Sequence, residues 1–302
     1  MYSVCEINKD ILADISKNYS KIKVTTDFND LLRDNEINAV IIALPVEMHY
    51  EYSKKAILSG KNVFVEKPLS LNSKDAEELI KLAQENNCIL MVGHLLQYHP
   101  AFKKLKEIVK SGELGKIQYL YSNRLNFGKI RKKENILWSF APHDISMILS
   151  LLNREPESVS TYGGYFLNKN IADTTLTFLN FSNGTRAHIF VSWLHPYKSQ
   201  ELVIVGNKKM AVFNDTKSWE EKLLIYSHKV EWKNGNHILN KKDFEKVIVK
   251  ESEPLENECN HFIDCIESRK KPLTNGLEGL KVLRVLEASQ KSLDTKVIVY
   301  LN

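Results

Sequence analysis

Cysteine is scarce. Four occur in 302 residues, at Cys5, Cys88, Cys259 and Cys265, and no two form a C-x-x-C pair. Cys259 and Cys265 are six apart, too far for the close pair of a zinc site. The four read as reduced thiols in a cytosolic core rather than a disulfide framework. Long apolar runs are missing as well. No stretch of about 18 apolar residues exists, which excludes a membrane-spanning helix. The N-terminus, MYSVCEINKD, has no basic patch ahead of an apolar core, so no secretory signal is read there. Basic residues are not concentrated: 42 Lys and Arg stand against 37 Asp and Glu, a net charge of +5 spread along the chain. A nucleic-acid groove would gather them among aromatics. A mild lysine excess reads as a solvated surface that helps attract an anionic small substrate. No internal repeat or low-complexity segment is present.

What remains is an ordinary globular composition, 43% hydrophobic and 26% charged. The length suits one large or two medium domains. Up to His94, short apolar runs alternate with helical patterns: YSVCEI, then KDILADISKNY with Ile11, Leu12 and Ile15 on one face, KIKVTTD, and FNDLLRD capped by Asp27 or Asn29. The run INAVIIALP follows, then a helix over 49–60 ending at Gly60, the strand NVFVEKP, a helix that Ser73 caps, and the strand CILMVGH. Continuous apolar strands separated by helices imply right-handed crossovers and a parallel sheet covered on both faces. After His94 come an amphipathic helix over 101–115 and a helix beginning near Pro142. The run from 117 to about 250 reads as successive strands with Gly or Asn turns, closed by two helices and a last strand. The expectation is α/β plus α+β: an N-terminally truncated Rossmann-like parallel sheet domain over 1–95, then an α+β domain with a large, mostly antiparallel sheet over 96–302.

Ligands of open parallel sheets bind beyond the carboxyl ends of the strands. The segments there are EIN, LPVEMH, EKPLS and GHLLQYHP. Charged side chains at the end of a buried strand need a partner or a task, which singles out Glu66 and Lys67.

The stretch AVIIALPVEMHYEYSKKAILSGKNVFVEKPLS resembles the second half of the nucleotide-binding domain of the Gfo/Idh/MocA oxidoreductases. LWSFAPHDISMI resembles that family's second motif, and the likeness runs from residue 2 to the end. Its closest flavour is the subgroup that oxidises nucleotide-linked sugars, such as UDP-N-acetylglucosamine derivatives, in surface-polysaccharide synthesis. The resemblance implies NAD, with NADP less favoured. Glu6 matches the acid that holds the adenosine ribose; a carboxylate accepts two hydroxyls and repels a 2′-phosphate. Leu44, Pro45 and His49 match the strand end along the dinucleotide, and Glu66 and Lys67 the residues near nicotinamide and substrate. Lys67 and His143 match the catalytic pair. Gln97, Tyr98 and His99 match a domain junction that touches substrate. Arg124, Asn126, Trp193, His195 and Lys198 are candidates for a substrate face, and Asp144 for holding the helix start or the imidazole. His49, His94 and His143 lack the spacing of a ligand set, so no metal is expected. The partners implied are a sugar or sugar-nucleotide, neither nucleic acid nor membrane, and further copies of the chain as a dimer or tetramer.

Two departures stand out. The glycine-rich turn G-x-G-x-x-G, whose amides receive a pyrophosphate at a helix N-terminus, has no counterpart in the chain, which starts near what would be the second strand. The Asp that family members often carry four residues before the histidine is Ser139 here. On this reading Lys67 donates to the substrate oxygen, and His143, opening a helix whose dipole disfavours the imidazolium, takes the proton. The alternative is an impaired member that binds sugar or an oligomer partner. A third possibility is a longer native chain that carries the turn upstream.

Overall fold

Short polar residues start three of the N-terminal helices. In the computed structural model, which describes residues 1–301, Asn8 accepts from the Asp10 amide, Asp27 from Asn29 and Asn72 from Asp75. Each takes up an amide that has no partner inside its own helix. Ser73, expected as a cap, is instead the first helical residue, because Asn72 reaches that amide from one position earlier.

The chain divides into two compact units. One comprises Met1–Gly93 and Phe262–Gly276; the other comprises His94–His261 and the residues from Leu277 onward.

The first unit contains β1 (Ser3–Cys5), α1 (Lys9–Asn18), β2 (Lys23–Thr25), α2 (Phe28–Arg33), β3 (Ala39–Ile42), α3 (Val46–Leu58), β4 (Asn62–Glu66), α4 (Ser73–Glu85) and β5 (Leu90–Gly93). Every strand pairing is parallel. The strands fall into two separate sheets, β1–β2 and β3–β4–β5. On β4, Val63, Phe64 and Val65 are all 2% exposed or less, as a strand covered on both faces requires. β3 is covered on one face only: Val40 and Ile42 are buried, while Ile41 is 58% exposed. Likewise Leu12 of α1 is buried and Ile11 is not. The returning segment is stitched to this unit by the Phe262 ring, 5.6 Å from Phe64, and by the Val92 amide donating to the Thr274 carbonyl.

The second unit begins with α5 (Pro100–Lys110), β6 (Ile117–Phe127), α6 (Ile136–Leu152), β7 (Ser158–Gly164), β8 (Thr174–Asn180), β9 (Arg186–Ser192), β10 (Leu194–Gly206), β11 (Met210–Asn214) and β12 (Leu223–Tyr226). β13 (Lys229–Lys233), β14 (Asn236–Asn240), β15 (Phe244–Lys246), α7 (Pro254–Ser268), α8 (Gly276–Thr295) and β16 (Val299–Tyr300) follow, the division of the chain falling inside α7. Nine strands form one sheet in the order β15-β12-β11-β10-β6-β9-β8-β7-β16, antiparallel except where β6 meets β9. Its core face carries Leu120, Ile189, Val191, Leu202 and Ile204, in one apolar cluster with Ile145 and Ile148 of α6.

The start of α6 corrects the sequence reading. The helix begins at Ile136, where Asn135 accepts the Trp138 amide, and Pro142 lies inside it. A proline reads as a helix start because the first turn needs no N–H from it. Here buried Ile136 and Leu137 extend the helix upstream, at the cost of one hydrogen bond at Pro142. His143 is therefore about two turns into the helix, beyond the first turn in which the dipole acts.

Candidate functional site

In the first unit the chemistry-bearing residues lie at the carboxyl ends of the parallel strands. Glu66 is the last residue of β4 and pairs in register with Gly93 of β5. A Cβ on Gly93 would come within 3.0 Å of Glu66 Oε2 and 3.3 Å of its Cα, so a residue without a side chain leaves the carboxylate its place. The Lys67 amide donates back to Glu66 Oε2 at 3.3 Å, and the Lys67–Pro68 bond is cis. Both Glu66 and Lys67 are half-buried.

His49 ties two strand ends together. On α3 it is 1% exposed, with Nδ1 2.7 Å from the Pro68 carbonyl and Nε2 2.8 Å from the Leu44 carbonyl. The loops after β3 and β4 are thus fixed to one ring, and Leu44 and Pro45 are held beside it. A carbonyl only accepts, so a neutral imidazole donates to one of the two at a time. Replacing His49 by leucine removes the donor these two carbonyls share, and should lower the urea-unfolding stability of the protein by about 1–3 kcal/mol. Unchanged stability would show that the bracket contributes nothing.

Glu6 follows β1. Its amide donates to the Thr25 carbonyl, and its Oε1 accepts from the Asn8 amide at 2.9 Å. The half-buried carboxylate is thereby oriented at the start of α1, with its other oxygen available to accept hydroxyls. These residues fit the two ends of a dinucleotide, a diol-accepting acid after the first strand and a carboxylate–lysine pair after the fourth. They do not fit its middle. The first glycine in the chain is Gly60, at the C-terminal end of α3, and no glycine-rich turn precedes any helix of this unit.

In the second unit, the structure engages several expected substrate contacts in the scaffold. Asp144 is fully buried beside His143 and takes Arg124 Nε at 2.7 Å, Arg124 Nη2 at 3.2 Å and Ser122 Oγ at 2.5 Å. This bidentate pair fixes the rotation of α6 against β6. Gln97 is buried and donates to the Ser146 carbonyl, Ser146 Oγ and Ser150 Oγ, each at 3.0 Å, which holds the same helix from its other side. Tyr98 is wholly buried, 5.2 Å from the His261 ring. Trp193 is wholly buried and donates Nε1–H to Asp173 Oδ1 at 2.7 Å. Asn126 remains half-buried at the end of β6, Lys198 is exposed on β10, and His143 is half-buried on α6.

Sequence reasoning missed Asp173, whose second oxygen accepts the Phe166 and Leu167 amides and shapes the loop before β8. A lone Asp before a strand gives no signal of that. It also missed an ionic cluster around His99. His99 Nδ1 accepts the Ala101 amide at the start of α5, so Nε2 carries the proton and faces Asp215 at 3.3 Å. Lys222 donates to Asp215 Oδ1 at 2.9 Å. Burial alone would raise the Asp215 carboxyl, but the hydrogen bonds from His99 and Lys222 outweigh it and hold the group at about 2. A depressed carboxylate stabilises the fold above its unfolded value and loses that contribution as pH falls. On the order of 2 kcal/mol should therefore disappear between about pH 4 and pH 2. Unfolding of Asp215→Asn against the parent across that window checks it: the difference shrinks toward zero at the acid end. Among the described residues no group of three or more His, Cys, Asp or Glu side chains is placed to hold a metal ion. No described helix is long and apolar enough to cross a membrane.

Residues 3–94 match the family described as "Oxidoreductase family, NAD-binding Rossmann fold", and residues 102–212 match the "GFO/IDH/MocA C-terminal domain". Scyllo-inositol 2-dehydrogenase (NAD(+)) of Bacillus subtilis is 27% identical over 280 residues, 89% of this chain and 79% of the relative. UDP-N-acetylglucosamine 3-dehydrogenase of Acidithiobacillus ferrooxidans is 25% identical over 260 residues, 82% of this chain and 76% of the relative. A solved structure of that enzyme superposes with a TM-score of 0.84 at 22% identity, covering 98% of this chain and 90% of the other. A levoglucosan dehydrogenase solved with NADH and levoglucosan gives a TM-score of 0.83 at 18% identity, covering 99% of this chain and 89% of the other.

Proposed function

The chain belongs to the GFO/IDH/MocA family of NAD-binding oxidoreductases, and from that premise we propose that it oxidises a secondary alcohol of a nucleotide-linked sugar. The observation that carries this reading is the end of β4. A lysine follows a carboxylate there, with Gly93 keeping the space beside it open and His49 locking the next turn.

The bound nicotinamide supplies the hydride acceptor; this chain's residues handle the rest. Lys67 donates N–H to the substrate oxygen and stabilises the charge that develops as its proton leaves. His143 is the base that takes that proton. Its place on α6 is set by the Arg124–Asp144 pair beside it. Glu6 accepts the ribose hydroxyls and favours NAD over NADP. Leu44 and Pro45 lie along the dinucleotide, while Asn126 and Lys198 contact substrate. Gln97 and Asp144 hold α6, which carries His143, from the interior of the second unit, and Tyr98 and Trp193 are part of that unit's packed interior.

A substrate panel tests the assignment. NADH formation is followed with UDP-N-acetylglucosamine, myo-inositol and glucose, and the nucleotide sugar is expected to give the highest kcat/KM. A preference for free inositol would overturn the nucleotide-sugar assignment while leaving the reaction class standing. In the same reading the protein is a cytoplasmic homo-oligomer, a dimer or tetramer joined through the large sheet, and its substrate is destined for surface polysaccharide. The missing middle of the dinucleotide site favours a second reading, a member that binds sugar without turnover. Weak NAD binding by the 302-residue chain in a calorimetric titration is expected under both.

A further inference from the structure

A cavity of about 490 Å³ lies within the second unit, and none of the residues assigned above to cofactor or substrate lines it. β7, the loop between β7 and β8, and the end of α8 enclose it. Its walls follow from the sheet edge. β16 covers β7 only at Ser158 and Val159, so the rest of that edge is open. The Thr161 amide donates to Ser292 Oγ of α8 at 2.9 Å instead of joining β8. Alternate residues of an antiparallel ladder face the same edge, so Gly163 presents its amide there too. Glycine at that position lets α8 close in: a Cβ would stand 2.6 Å from a Leu293 methyl. The loop is shaped by its own bonds. Asp173 Oδ2 takes the Phe166 and Leu167 amides at 2.7 and 2.8 Å, and Asn168 Oδ1 takes the Asn170 amide at 2.8 Å. Lys169 stands on that turn.

The cavity gathers charges of both signs. Lys169 and Lys296 supply two ammoniums, neither in an ion pair among the described residues, and Asp294 supplies one carboxylate. Gln290 Nε2 donates to Asp294 Oδ1 at 2.8 Å, while Gln290 Oε1 accepts from Asn135 Nδ2 and Trp138 Nε1 at the start of α6. The carboxylate is thereby oriented, with Oδ2 open to hydroxyl donors. Tyr162 and Tyr165 add two rings, each with an apolar face and a phenol tip. Burial and the Asp294 charge push the Tyr165 phenol up, which keeps its O–H as a donor. Lys296 carries a further mark. It follows α8 at φ +59°, the left-handed region in which helices usually end on glycine. A lysine held there bears strain that glycine would relieve.

We infer that this cavity binds a monosaccharide carrying one anionic group, a carboxylate or a phosphate. The two ammoniums and the Gly163 amide take the anion. Asp294 and Asn170 take ring hydroxyls, and the tyrosine rings cover the apolar face of the sugar. Two positive charges against one negative select an anion, and the lone carboxylate selects a ligand that also donates. The volume is within the range of small-ligand sites. The site goes beyond the oxidoreductase reading and does not depend on turnover.

The experiment titrates the 302-residue protein and follows the Leu293 methyls and the Gly163 amide by NMR. The probes are D-glucuronate, glucose 6-phosphate, glucose, acetate and inorganic phosphate. At least one anionic sugar should shift both signals saturably with a Kd below about 1 mM, and glucose and the two bare anions should bind about tenfold more weakly or less. The tighter of glucuronate and glucose 6-phosphate identifies the anion. Lys296→Gly should weaken binding about tenfold while leaving the melting midpoint within about two degrees of the parent, since glycine suits that backbone. Lys169→Gln, on the exposed turn, should weaken it alike. Lys67→Ala should leave the Leu293 titration unchanged. No saturable response to either anionic sugar overturns the inference. So does a response that survives both lysine variants, or one that vanishes in Lys67→Ala and so belongs to the catalytic centre. Glucose binding as tightly as its anionic counterparts overturns the charge requirement, and acetate or inorganic phosphate doing so overturns the sugar.

Discussion

Asp144→Ala should lower the stability of the protein by about 3–5 kcal/mol, the largest single loss expected outside the hydrophobic core. The side chains of Arg124 and Asp144 are 9% and 1% exposed. Removing the carboxylate leaves a guanidinium out of water with its counter-charge gone, and Ser122 Oγ loses its shorter acceptor, keeping only the Glu201 carbonyl at 3.3 Å. The penalty is that of an orphaned charge rather than the net worth of the pair. The double variant Arg124→Met with Asp144→Leu should therefore recover most of it. Urea unfolding of the three proteins decides the matter. A single-variant loss below about 1 kcal/mol would place this pair with exposed ones and would remove the proposed fixing of α6.

Lys67→Ala should reduce kcat by about 10²–10³-fold, the cost of losing one preorganised donor to a developing oxyanion. Lys67→Arg should not restore it. A planar fork of five donors does not occupy the place of a compact ammonium, and the chain on either side is set by the His49 bracket and the Glu66–Gly93 contact. The variant should fold as the parent does, since Lys67 is only half-buried. Turnover within twofold of the parent would exclude Lys67 from the reaction.

Much of the first unit was legible because a strand covered on both faces writes itself as an unbroken apolar run. INAVIIALP, NVFVE and CILMVG announced β3, β4 and β5, and the charged EKP at the end of one of them marked the candidate site. The same rule explains what was not legible. YSVC and KVT read as strands of the same parallel sheet, and nothing in three-residue elements says that they pair apart from β3–β4–β5. The segment 262–276 returns to the first unit without any shift in composition, since its contacts, Phe262 on Phe64 and Thr274 on Val92, are long-range. Pro142 misled the reading of α6 because local propensity speaks for a helix start while tertiary burial of Ile136 and Leu137 decides the outcome. Arg124, Asp144 and Gln97 are polar side chains, and polarity alone does not tell a substrate contact from a satisfied interior bond. Only the partners do: Ser122, Ser146 and Ser150 are residues that a sequence pattern has no reason to connect.

The most direct measurement is NADH formation from a sugar secondary alcohol by the protein and its His143→Ala variant. Loss of about 10²–10⁴-fold in kcat/KM is the predicted result. A variant that turns over at the parent's rate would contradict the assignment of His143 as the base.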